Sequence, residues 1–124
     1  MRVKNLLQSK GNEVYSTSPD TTVYDALKVM AEKEIGALVV LAEGKVVGIL
    51  SERDYARKVI LKGRASKDTL VREIMSSNVI HTSPQAKVEK CLSLMTKNRF
   101  RHLPVLEDER LVGIISIEDI KRVS

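Results

Sequence analysis

Apolar residues recur at three- and four-residue spacing through Val23, Ala26, Leu27 and Met30, the stripe of an amphipathic helix. Pro19-Asp20-Thr21-Thr22 ahead of it is a helix-start signal, with Thr22 or Asp20 as N-cap, and the stripe fades at Lys33-Glu34. Ala37 to Leu41 is then an unbroken apolar run of strand length, Glu43-Gly44-Lys45 a polar turn, and Val46 to Leu50 a second strand. Two strands joined so tightly predict a hairpin. Ser51 opens another helix, which turns Tyr55, Val59 and Ile60 inward and Arg53, Arg57 and Lys58 outward. Val14 to Ser16, before the first helix, reads as a short strand.

The whole pattern then recurs. A shift of 65 residues lays Val14–Val59 over Val79–Ser124 without a gap. Thr17-Ser18-Pro19 meets Thr82-Ser83-Pro84, and Val47-Gly48-Ile49 with Ser51 and Asp54 meets Val112-Gly113-Ile114 with Ser116 and Asp119. Each copy is a strand-helix-strand-strand-helix unit that cannot bury its apolar face alone. The expected fold is therefore mixed α/β: two βαββα repeats related by a pseudo-two-fold axis, with small sheets packed face to face. Lys62 to Asp68 is a polar, glycine-containing surface connection. Val71-x-x-Ile74-Met75 echoes Val3-x-x-Leu6-Leu7, so each copy is expected to own a short lead-in helix, with a longer Ser9-to-Glu13 loop in the first. That divides the chain into 1–66 (core 14–59) and 67–124 (core 79–124).

Composition narrows the class. A chain of 124 residues with 43% hydrophobic and 30% charged residues reads as an ordinary globular protein. Halves of about 60 residues would be marginal alone, which favours one fused core. No stretch approaches the roughly 20 apolar residues of a membrane span. One cysteine makes no internal disulfide, which fits a reducing, cytoplasmic setting. The net charge of +5 is dispersed along the chain, and aromatics are only 3%. That argues against nucleic acid and suits a small anionic ligand.

The residues with chemical potential sit at one kind of place. Ser51-Glu52-Arg53-Asp54 and Ser116-Ile117-Glu118-Asp119 each open a helix after a strand. As a capping box, Ser is the N-cap and Asp reaches back to the backbone of the cap, although Asp is short for that reach. As a binding element, the helix start offers free N–H groups to an anion, and the carboxylate can accept both hydroxyls of a ribose. Other candidates carry less. His81, Cys91 and His102 have no metal-ligand spacing, Cys91 and the methionines 30 and 95 fall on core positions, and neither a nucleophile elbow nor a P-loop is present.

With Gly-hydrophobic-hydrophobic-Ser-x-x-Asp closing each copy and Arg101-His102-Leu103-Pro104-Val105 in the second hairpin, the chain resembles a tandem pair of cystathionine-β-synthase (CBS) domains, of the short stand-alone type. The resemblance implies a non-catalytic regulatory module that binds adenosine-containing nucleotides in clefts between the repeats. It implies a primary cleft of Ser51, Arg53, Asp54, Val79, Ile80, Arg101 and His102, with Arg101 and His102 on phosphate. A second cleft would use Val14, Tyr15, Gly36, Ala37, Ser116 and Asp119, where Gly36 and Ala37 bring no charge. The expected ligand is AMP, then ATP or ADP, then NAD(H). A homodimer and a separate client protein are the expected partners. The competing reading is a homodimerisation scaffold with a vestigial cleft.

Overall fold

The computed structural model describes residues 1–11 and 13–123; Asn12, within the expected loop, and the terminal Ser124 lie outside them. Helix α1 is Val3–Lys10, strand β1 Ser16–Thr17, helix α2 Val23–Lys33, and strands β2 and β3 are Ala37–Ala42 and Lys45–Ser51. Helix α3 covers Glu52–Lys58 and α4 Val71–Ile74, with single 3-10 turns at Ile60–Lys62 and Ser66–Asp68 between them. Helix α5 is Val88–Asn98, strands β4 and β5 are His102–Glu107 and Arg110–Ser116, and α6 is Ile117–Val123.

Both hairpins form as the pattern predicts, and they share their irregularities. The register slips at Val40/Leu41 and again at Val105/Leu106, a bulge at the same place in each copy. The turns also match: Glu43 and Gly44 lie at φ 53° and 78°, and Asp108 and Glu109 at φ 50° and 66°. Paired left-handed residues suit the right-handed twist of a tight hairpin. In the first sheet β1 runs parallel to β2, pairing Ser16 with Val39 and Thr17 with Val40. The short strand therefore starts two residues later than expected and shares Ser16 with Val14–Ser16. Its counterpart in the second copy is reduced to one parallel bridge, Thr82 to Val105, and His81 is exposed outside any strand.

The helices follow the stripes. Thr22 is the N-cap of α2, its hydroxyl accepting from the Asp25 N–H at 3.2 Å. Val23, Ala26 and Met30 are buried on its inner face, as are Val88, Cys91 and Met95 on α5. Leu38, Val40 and Leu50 complete the first core, and Leu103, Val105 and Ile115 the second. Each such side chain contributes about 1.5–3 kcal/mol relative to exposure. Ile60 departs from expectation: α3 stops at Lys58, Val59 departs from helical backbone at φ −116°, and the following 3-10 turn leaves Ile60 54% exposed.

The lead-in helices are exchanged. The chain divides into Tyr15–Val79 and a split unit of Met1–Val14 with Ile80–Ser124, so α1 packs with the second copy and α4 with the first. Identical backbone ties hold both. Val3 N–H donates to the Ala86 carbonyl at 2.9 Å, Lys4 N–H to Pro84 at 2.8 Å, and Val88 N–H to Met1 at 3.0 Å. In the other unit Val71 N–H donates to Thr21 at 2.8 Å, Arg72 N–H to Pro19 at 3.0 Å, and Val23 N–H to Thr69 at 2.8 Å. The segment before each lead-in helix thus satisfies the first N–H of the long helix, one of the four orphans a helix start leaves. Packing repeats the trade: Leu7 of α1 lies against Gly113 on β5, and Met75 beyond α4 against Gly48 on β3. Each lead-in helix thus packs with the copy other than the one it precedes in sequence.

Candidate functional site

Each Ser-x-x-Asp turn lies where the hairpin hands over to its last helix. Ser51 is extended at φ −121° and caps α3, its hydroxyl accepting from the Asp54 N–H at 3.1 Å. Asp54 Oδ2 in return accepts from the Ser51 N–H at 3.0 Å and lies 3.1 Å from the Ser51 hydroxyl. The short aspartate therefore does close a capping box. Its other oxygen, Oδ1, takes Lys58 Nζ at 3.1 Å and the Ser76 hydroxyl at 3.4 Å. Lys58 also donates to the Ile74 carbonyl at 2.8 Å, so the side chain expected to point outward bridges α3 to the end of α4.

The second turn repeats the cap and changes the counter-ion. Asp119 Oδ2 accepts from the Ser116 N–H at 2.9 Å, and the Asp119 N–H donates to Ser116 Oγ at 3.1 Å. Here the cation is Lys10, from the C-terminal end of α1. Its ammonium sits 2.6 Å from Asp119 Oδ2 and donates to the Ile114 carbonyl at 2.8 Å. Burial pushes the Asp119 carboxyl up, but the Lys10 ammonium and the Ser116 donors outweigh it and hold the group below the ordinary aspartate range.

Within a unit the structure brings the hairpin opening against its own Ser-x-x-Asp turn. Glu52 N–H donates to the Gly36 carbonyl at 3.0 Å and Ala37 pairs with Ser51. Likewise Ile117 N–H donates to the Arg101 carbonyl at 3.0 Å and His102 pairs with Ser116. The Arg101 guanidinium is ion-paired with Glu118 on the first turn of α6. Val14, Val79 and Ile80 are half-buried outside any strand. Tyr15 packs on the first core, with the Lys33 ammonium 5.1 Å from its ring centre. Ser51, Arg53, Asp54, Val79, Tyr15, Gly36 and Ala37 belong to the Tyr15–Val79 unit, while Val14, Ile80, Arg101, His102, Ser116 and Asp119 belong to the split one. Both expected sets thus draw on both units.

Sequence reasoning missed Lys10, Ser76 and Glu118 as partners. Lys58 was legible, since it lies four residues beyond Asp54 on the same helix. Among the described residues no three His, Cys, Asp or Glu side chains gather as metal ligands, and no helix is long and apolar enough to cross a membrane.

The family model of the CBS domain matches this chain twice, over residues 4–61 and 71–124. The chain belongs to the CBS domain family. Its similarity to the CBS domain-containing protein CBSX3, mitochondrial, of Arabidopsis thaliana is 41% identity over 97% of this chain. The chain spans 63% of the length of that relative. The crystal structure of the CBS domain NE2398 is 44% identical and superposes with a TM-score of 0.96, covering 99% of this chain and 96% of that one. The CBS domain pair of MJ0100, crystallised with 5′-methylthioadenosine and S-adenosyl-L-methionine, is 28% identical with a TM-score of 0.83, covering 99% and 94%. Over the matched residues this chain is a CBS-pair regulatory module.

Proposed function

We propose that this CBS pair is a sensor whose Asp54 turn holds the ribose of an adenosine-containing nucleotide. The observation that carries the reading is the Asp54 carboxylate itself: almost buried, fixed by the Ser51 cap on one oxygen, and met on the other by the Lys58 ammonium and the Ser76 hydroxyl. Lys58 is a half-exposed side chain on a flexible stem, so a ribose diol can replace it at Oδ1 while the cap stays intact. The similar MJ0100 pair holds two adenosine compounds, which supports the same ligand class here.

On this reading Ser51, Arg53, Asp54, Val79 and Ile80 surround the nucleoside, and Arg101 and His102 meet its phosphate. AMP is the leading ligand, followed by ATP or ADP and then NAD(H). The module works as a homodimer in a reducing, cytoplasmic setting on a separate client. Ligand changes the client through its differential affinity for two states of the module. Val14, Tyr15, Gly36, Ala37, Ser116 and Asp119 form the second, weaker site. For that turn a structural role competes, because Lys10 donates to both Asp119 and the Ile114 carbonyl. The dimer scaffold with a vestigial cleft extends that competing role to both turns.

Thermal unfolding with AMP, ADP, ATP, NAD, NADH and S-adenosylmethionine tests the reading. A ligand at about a hundred times its Kd adds roughly 2.7 kcal/mol to folded-state stability. The variant to compare is Asp54→Asn, whose amide oxygen can keep the cap while losing the charge. A shift with adenine ligands that vanishes in Asp54→Asn supports the sensor. No shift with any of them leaves the scaffold as the better account.

A further inference from the structure

The two Ser-x-x-Asp turns offer a ligand different things. At Asp54 both carboxylate oxygens are engaged, Oδ2 by the Ser51 N–H and Oδ1 by Lys58 and Ser76. At Asp119 the Ser116 N–H and the Lys10 ammonium both fall on Oδ2, at 2.9 and 2.6 Å. Among the described residues no hydrogen bond falls on Oδ1, although the side chain is only 9% exposed. Nor is that oxygen sealed in, because no described side-chain nitrogen or oxygen is both buried and without a partner. Oδ1 is thus an open acceptor on a nearly buried carboxylate.

Lys10 is what leaves it open. The repeat register puts Val123 where the first copy has Lys58, so α6 has no cation one turn beyond its aspartate, and α1 supplies it instead. Lys10 is the last residue of α1, and the Gly11 N–H closes the helix on the Leu7 carbonyl at 2.8 Å. Leu6 and Leu7 anchor that helix in the core of the same unit. The ammonium is held on its other side by the Ile114 carbonyl at 2.8 Å, and its side chain is 24% exposed against 44% for Lys58. Fixed in this way, Lys10 sets the plane of the carboxylate and keeps ionised a group that burial alone would push toward its protonated form.

We propose that Lys10 is the positioning residue of the second site: it stays on Asp119 Oδ2 when ligand binds and presents Oδ1 to a ribose hydroxyl. The inference rests on the reading of the second turn given above. It gives that turn a mode of binding opposite to the first, where the ligand takes the place of the cation. Lys10, Ile114, Ser116 and Asp119 all lie in one unit, so the pair is part of that unit's own packing. A hydroxyl arriving at Oδ1 exchanges no ion pair and adds a neutral donor to a charge already balanced. The turn therefore asks for the sugar of a nucleoside and not for its phosphate.

Calorimetric titration of the whole Asp54→Asn chain provides the test, at adenosine concentrations well above those that saturate the first site. The control is 2′,3′-dideoxyadenosine, which lacks both ribose hydroxyls. Adenosine is expected to bind about tenfold more weakly after Lys10→Met and to regain most of that loss with Lys10→Arg, whose guanidinium can meet the same oxygen. The dideoxy control should not distinguish the three chains. Because Lys10→Met also costs stability, a second measurement leaves Lys10 in place: hydrogen exchange at the Gly11 N–H of the Asp54→Asn chain. Adenosine is expected to slow that exchange, since the pair beside it is kept. A rate that is unchanged or raised overturns the proposal, as does adenosine binding that is indifferent to Lys10→Met. Binding lost entirely in Asp54→Asn removes the second site and leaves the Asp54 sensor standing. An unaltered chain that takes no nucleoside or nucleotide overturns both.

Discussion

Lys10 and Asp119 meet at 2.6 Å across a separation of 109 residues. The pair joins the end of α1 to the start of α6, and it does for the second Ser-x-x-Asp turn what Lys58 does for the first. The two repeats thus arrive at one electrostatic solution from unrelated sequence positions. At Asp54 the cation is borrowed from the same helix; at Asp119 it comes from the exchanged one.

Replacing Lys10 with Met should leave a nearly buried carboxylate without its counter-ion. The expected loss is about 2 kcal/mol at neutral pH. The sign with pH follows from the depressed carboxyl of Asp119. Its contribution is fully present above the unfolded aspartate value of 3.8 and is lost as pH falls through the lower folded value. Urea unfolding at neutral pH and again in acid should therefore show the gap between Lys10→Met and the parent narrowing in acid. A gap that stays constant across that range would remove the ion pair as its cause.

Releasing Arg101 should strengthen phosphate binding. Glu118 holds the guanidinium, so Glu118→Gln makes both of its donor edges available to a ligand phosphate. Because the pair is half-exposed, the effect is small, about two- to threefold in the affinity for AMP. Adenosine, which lacks phosphate, should bind both proteins alike. Calorimetric titration with both ligands checks the difference, and an equal gain for adenosine would place the effect elsewhere.

The two hairpin turns offer a controlled comparison of backbone strain. Gly44 occupies φ 78° in the first, and Glu109 must adopt φ 66° in the second. Left-handed backbone costs a side-chain-bearing residue roughly 1 kcal/mol that glycine does not incur. Glu109→Gly should therefore raise stability by about 0.5 kcal/mol after the greater chain entropy of unfolded glycine is subtracted. Denaturant midpoints measure it. A loss of stability would show that Glu109 is held by contacts stronger than its strain.

The two strand glycines should differ in what they tolerate. A Cβ on Gly48 would lie 2.6 Å from Met75 Sδ and 3.1 Å from the Ser76 carbonyl oxygen. That oxygen accepts from the Ile49 N–H at 3.0 Å, and the Ser76 N–H donates back to the Ile49 carbonyl at 2.9 Å. On Gly113 the nearest atoms all belong to the Leu7 side chain, at 2.7 to 3.5 Å, and a leucine end can rotate away. Gly48→Ala should cost about 1–3 kcal/mol and Gly113→Ala distinctly less. Thermal melts of both variants rank them.

The parts of this fold legible in sequence are those written locally and twice. The stripe Val23-Ala26-Met30, the unbroken run Ala37–Val40 and the Ser51 and Ser116 caps needed only their neighbours, and the second copy confirmed the phase of the first. The short strand was misplaced because two paired residues carry too little pattern to set their own bounds. Lys10 lay outside the aligned cores and its partner at the far end of the chain, so no spacing rule could connect them. The exchange of α1 and α4 was hidden for a different reason. Both helices bury the same apolar spacing, and a stripe says that a face is covered without saying which copy covers it. Ile60 failed because the helical phase was carried one residue past the point where Val59 breaks it.

The helix exchange also fixes an order of events during synthesis. The core of the Tyr15–Val79 unit is continuous in the chain, so its elements emerge from the ribosome together. The residues of α1 precede that unit in the chain yet are placed after it. Val3, Leu6 and Leu7 must wait for α5 and β5 before they have a core to enter, and Lys10 waits longer still for Asp119. Until then α1 carries bare apolar surface, and its unit closes only when α6 has formed.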